Sequence, residues 1–67
     1  MSVNYNRLWK LLIDKKMKKI DLMKTAHISS NALAHLSKEE YVSVEIIEKI
    51  CVILECTPND IMEFIKE

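Results

Sequence analysis

Apolar residues recur at helical spacing through most of the chain, separated by short polar breaks. Leu8, Leu11 and Leu12 form one stripe, widened by Trp9 and Ile13, and predict a first helix from Tyr5 or Asn6 to about Lys16. Asn4 or Asn6 is placed to cap it, and residues 1–4 read as a short loose arm. Met17 sits in the following connection, where an apolar side chain plugs the core from a loop. A second helix is expected from about Lys19 to Thr25 or Ala26, with Leu22 pointing inward and Asp21 in the first turn, where a carboxylate suits the helix dipole. After the turn Ala26-His27-Ile28, Ser29 caps a third helix that ends at Ser37 or Lys38. Ser43 caps a fourth helix over Val44 to Leu54. Ile46, Ile47, Ile50, Val52, Ile53 and Leu54 make it apolar nearly all round, so most of it is expected to be buried. Thr57-Pro58-Asn59-Asp60 is a helix start, with Thr57 as cap, Pro58 at the first position and Asp60 reaching back. A fifth helix carrying Ile61, Met62, Phe64 and Ile65 is therefore predicted. No strand signal emerges, and the pattern describes an all-α, compact five-helix domain spanning residues 1–67.

The stretch from Asp21 to Lys38 carries the chemistry. Leu22, Ile28, Leu33 and Leu36 mark its buried side, while Ser29, Ser30, Asn31, Ala34 and His35 form a small, uncharged, hydrogen-bonding face. Side chains of this kind at a helix start suit the major groove of DNA. Asn31 can pair with adenine through two bonds, Ala34 can meet a thymine methyl, and His35 lies one turn beyond Asn31 on the same face. Ser29 and the free amides of the first turn suit a phosphate, as do Lys18 and Lys19 at the positive end of the second helix and Lys38 beyond the third.

Composition sharpens this picture through the placement of charge. The total is zero, yet residues 1–38 carry eight basic and two acidic side chains, net +6, and the rest carries two basic and eight acidic, net −6. Such a dipolar molecule turns its N-terminal half toward a polyanion. With 49% apolar residues, 67 residues suffice for one folded domain with an economical core. No apolar run reaches the roughly 18–20 residues of a membrane helix, and the N-terminus lacks the pattern of a signal peptide, so a cytoplasmic protein is expected. Cys51 and Cys56 then read as reduced thiols, Cys51 in the core and Cys56 between the fourth and fifth helices. They do not form a CxxC, and no second pair completes a zinc site. No phosphate loop, paired-carboxylate cleft or nucleophile with a base is present, so neither an enzyme nor a cofactor nor a small-molecule substrate is indicated.

The joint register of Leu8, Leu12, Met17, Leu22, Ile28, Leu33, Leu36, Ser43, Ile46, Ile50 and Leu54, closing with Cys56-Thr57-Pro58-Asn59-Asp60-Ile61, resembles the lambda-repressor/Cro-like (XRE-type) helix-turn-helix family over Tyr5 to Phe64. The resemblance implies a helix-turn-helix made by the second and third helices, binding of double-stranded DNA at an operator, dimers in many members, and usually repression. It puts Ser30, Asn31 and His35 at base-reading positions and Ser29, Lys19 and Lys38 at backbone-contact positions. A dimer patch would lie at Met62 and Ile65, one turn apart on the fifth helix. Three departures stand out. The chain has no glycine, and His27 fills a turn position where the family often has glycine with positive φ, a region His tolerates at some cost. Glu39 replaces another frequent glycine. Glu39, Glu40 and Glu45 also stand where relatives often carry basic phosphate contacts, and each lost contact weakens DNA binding and flattens its salt dependence. The rival reading keeps the fold but binds a protein instead of DNA, as an antitoxin-like or antirepressor partner, with the acidic half as its working face.

Overall fold

The computed structural model describes residues 2–66. Four α-helices, α1 (Asn6–Asp14), α2 (Lys19–Ala26), α3 (Ser30–Ser37) and α4 (Val44–Leu54), are followed by a 3-10 turn (Pro58–Asp60). Strands β1 (Ser2–Asn4) and β2 (Glu63–Ile65) flank this set and pair antiparallel, with Val3 opposite Phe64.

Each helix is set by an apolar pair or stripe at the spacing that stacks side chains on one face. Leu8 and Leu12 bury the inner side of α1, Leu22 and Ala26 that of α2, and Ala32 and Leu36 that of α3. Ile47, Ile50, Cys51 and Leu54 do the same for α4, which packs across α2. Ile28, from the turn between α2 and α3, joins this core, Met17 packs half-buried against it, and Leu33, expected on the buried side, is only half-buried.

The starts are held by short side chains. Asn4 Oδ1 accepts the Asn6 N–H at 2.8 Å, Asp21 Oδ2 accepts the Lys18 N–H at 3.1 Å, Ser29 Oγ accepts the Ala32 N–H at 3.1 Å, and Ser43 Oγ accepts the Ile46 N–H at 3.3 Å. The ends share one device. Lys16, His27, Glu39 and Glu55 each take the left-handed conformation, with φ of 58°, 57°, 58° and 53°. The next residue then returns its N–H to a carbonyl five positions back: Met17 to Leu12, Ile28 to Met23, Glu40 to His35 and Cys56 to Cys51. This Schellman closure usually recruits glycine, and here four side-chain-bearing residues perform it.

Three sequence-based expectations need correction. The fifth helix does not form: the 3-10 turn gives way to β2, so Met62 and Ile65 do not share a helical face. The arm is not loose. Ser2–Asn4 pairs with β2 and sends Val3 into the core, while Met1 lies outside the described residues. A two-stranded sheet therefore replaces one helix, because β1 offers unpaired backbone that an extended return satisfies and a short isolated helix is marginal in any case. Finally, α4 is not buried all round, since Val52 is 69% exposed and Val44 is exposed as well, and on α1 Ile13 is 73% exposed. Neither half of the chain supplies an element that covers those faces.

Candidate nucleic-acid interface

The turn between α2 and α3 fixes which side of α3 faces outward. His27 ends α2 at φ 57° and ψ 41°, Ile28 drops into the core, and Ser29 is extended before the helix resumes. Burial of Ala32 and Leu36 on the inner side then leaves Ser30, Asn31, Ala34 and His35 together on the exposed side. All four expected base-reading residues share this face. Ser29 is exposed, its Oγ lone pair engaged by Ala32 while its hydroxyl hydrogen remains available to donate. The amides of Ser30 and Asn31 have no partner within the helix, as in any first turn.

The expected backbone-contact lysines are also exposed. Lys18 and Lys19 stand at the start of α2, and Lys19 Nζ lies 4.3 Å from the centroid of the Trp9 ring. This cation–π seat gives the ammonium a preferred position beside the half-buried indole, a role for Trp9 that its place on the α1 stripe did not disclose. Lys38 follows α3 directly as its C-cap and is exposed.

The acidic cluster beyond α3 is locally partnered. Glu39 Oε1 accepts from Asn4 Nδ2 at 3.2 Å, Glu40 Oε1 lies 2.7 Å from His35 Nδ1, and Glu45 Oε1 lies 3.5 Å from Lys49 Nζ. Tyr5 adds a tie, donating its hydroxyl to the Glu40 carbonyl at 2.7 Å from a side chain 1% exposed. Burial pushes that hydroxyl's pKa up, Tyr41 adds to the shift, and a hydrogen bond to the Val42 backbone opposes it. The segment after α3 is thus clamped by the first strand and its successor, Asn4 and Tyr5. The pairing of Glu40 with His35 is the site contact that helical periodicity could not reveal, because the two residues straddle the end of α3.

Other predicted positions stand apart from this face. Met62 is half-buried against the core, while Ile65 lies exposed on β2 beside Phe64. Cys51 is buried, which pushes its thiol up to about 11, with Cys56 and Asp60 adding to the shift; it is a core side chain and a poor nucleophile at neutral pH. Among the described residues no helix is long and apolar enough to cross a membrane, and no group of three or more His, Cys, Asp or Glu side chains is placed to hold a metal ion.

Comparisons with known proteins agree with this geometry. No curated protein matches the chain. The structure described as the crystal structure of transcriptional regulator VanUg, Form II, is similar to it at 44% identity and a TM-score of 0.95, covering 98% of this chain and 88% of that one. The model of the Cro/C1-type HTH DNA-binding domain matches residues 7–67. A turn that buries Ile28, a capped helix with an exposed polar ridge, and a family match over nearly the whole sequence lead to one conclusion: the chain belongs to the Cro/C1-type helix-turn-helix DNA-binding family.

Proposed function

We propose that the chain is a sequence-specific transcriptional regulator, acting as a repressor, that reads the DNA major groove with α3. The observation that carries this reading is the sorting of α3 into a buried Ala32–Leu36 side and an exposed Ser30–Asn31–Ala34–His35 side, with Lys38 directly after it and Lys18 and Lys19 exposed at the start of α2. Eight residues of helix span about 12 Å, comparable with the roughly 12 Å width of the major groove. Ser30, Asn31, Ala34 and His35 contact base edges, while Lys18, Lys19, Ser29 and Lys38 hold phosphates. Repression requires no more than occupancy, since a domain seated in the groove denies that DNA to other proteins. One domain covers one half-site, so the working form is a homodimer on sites about 34–36 Å apart. Ile65 and its neighbour Phe64 form the exposed apolar part of its contact, and Met62 supports it from the core side.

Selection from a random DNA pool, followed by titration at several salt concentrations, tests the reading. A consensus site and a steep salt slope are expected. Asn31→Ala relaxes one base position, at a cost of about 1–3 kcal/mol on the preferred sequence. Lys19→Ala weakens all sequences alike and lowers the salt slope by about 1. Equal loss of sequence preference from both variants would refute the assigned roles, and the absence of any consensus would refute DNA reading itself.

A further inference from the structure

We infer that Glu40 determines which base His35 selects, by holding the proton on Nδ1 and leaving Nε2 as a hydrogen-bond acceptor toward the groove. This rests on His35 being a base contact. An ionised carboxylate can only accept, so the 2.7 Å contact between Glu40 Oε1 and His35 Nδ1 places the imidazole proton on Nδ1. In the neutral ring Nε2 then carries a lone pair and no hydrogen. Adenine N6 and cytosine N4 are the donors exposed in the major groove, whereas guanine offers only acceptors there. A histidine held in this form selects an exocyclic amine and rejects guanine.

The contact is more than a chance meeting of two exposed side chains, because the backbone of Glu40 is held on both sides of its Cα. Its N–H bonds the His35 carbonyl at 2.9 Å, and its carbonyl accepts the hydroxyl of the buried Tyr5 at 2.7 Å. Glu39, in the left-handed conformation with its own carboxylate on Asn4, sets the direction of the chain just before it. A carboxylate beside a DNA-reading ridge otherwise opposes binding; spending it on one imidazole nitrogen converts that repulsion into a choice of base. Glu40 acts through His35 and is a positioning residue.

Base selection is run at mildly alkaline pH. The full chain is expected to prefer adenine or cytosine at one position. His35→Ala removes the preference at that position and leaves the others intact. Glu40→Ala frees the proton to move to Nε2 and shifts the same position toward guanine by about tenfold. The melting temperature of Glu40→Ala monitors folding, and Glu40→Gln, whose amide serves either form of the ring, should give the same direction of shift if the alanine variant does not fold. Retained preference in the Glu40 variants alongside a working His35→Ala effect overturns the inference and leaves DNA reading untouched. So does a uniform gain in affinity for all sequences, the signature of charge removal alone. No effect of His35→Ala at any position overturns both the inference and the assignment of His35 as a base contact.

Discussion

Two segments of the molecule begin in the same way and end differently. His27-Ile28-Ser29 and Glu55-Cys56-Thr57 each close a helix with a left-handed residue, return an N–H five positions back, and turn extended at the capping residue, with ψ of 162° at Ser29 and 163° at Thr57. Ser29 Oγ accepts the Ala32 N–H; in the second segment Asp60 Oδ2 accepts both the N–H and the hydroxyl of Thr57, at 3.0 and 3.1 Å. After Ser29 the chain runs eight residues as α3, yet after Thr57 it makes one 3-10 turn and becomes a strand. The difference lies in the partners. Ala32 and Leu36 enter the core one turn apart, so continued helix is rewarded at each turn. After Thr57 only Ile61 is fully buried, and the backbone of β1 waits to be paired. Arg7 reinforces the extended return from α1, donating to the Asn59 carbonyl at 2.9 Å and meeting Glu63 at 3.3 Å. A cap starts a helix; tertiary neighbours decide its length.

This comparison can be broken at its buried anchors first. Leu36 and Ile61 are both fully buried, and alanine at either position is expected to cost about 2–5 kcal/mol. Thermal melts should show similar large losses for the helical and the non-helical segment, and an unchanged melt for Ile61→Ala would detach the chain end from the core. The caps come next. Ser29→Ala should cost about 1 kcal/mol. Thr57→Ala should cost about 0.5 kcal/mol or less, since the backbone N–H keeps the Asp60 carboxylate, and a larger loss at Thr57 than at Ser29 would reverse the ranking of the two starts. The left-handed closures differ in sign. His27→Gly and Glu55→Gly should leave stability unchanged or raise it by up to about 1 kcal/mol, as relief of the Cβ clash offsets the extra freedom of unfolded glycine. A fall in melting temperature would show that the histidine ring contributes a contact of its own.

The smallest effect is on pH. The backbone N–H of Thr57, and then its hydroxyl, hold the Asp60 carboxyl below its ordinary value, with Arg7 assisting. The folded value is depressed, so the associated stability is present above the unfolded value of about 3.9 and lost as pH falls through the folded one. Melts of the parent and Asp60→Asn should therefore differ above about pH 4 and converge toward about pH 2. A constant gap across that range would mean that the carboxylate does not stabilise this turn through its charge.

Helices α1 to α4 were legible because each combines an apolar spacing with a polar start, and α4 was expected over the same Val44–Leu54 that forms it. The left-handed turn at His27 was anticipated from where glycine often stands in similar proteins; Glu39 also stands where glycine is frequent, and Lys16 and Glu55 gave no such sign. The exposure of Ser30, Asn31, Ala34 and His35 followed from the burial of their neighbours. What escaped were contacts between distant residues: Asn4 with Glu39, Tyr5 with Glu40, and the three-residue strands. Strands so short carry too few alternations for a period to register.

Sequence alone determined where helices begin, which sides of them turn inward, and that a basic half carries a small polar ridge, because these depend on residues a few positions apart. Tertiary structure decided that the final segment extends instead of coiling, that the acidic residues beyond α3 are partnered, and that His35 faces its surroundings with one nitrogen already engaged. The strands meet from opposite ends of the chain and Glu39 meets the distant Asn4, while His35 and Glu40 face each other across the left-handed turn that ends α3, so helical spacing holds no record of these outcomes.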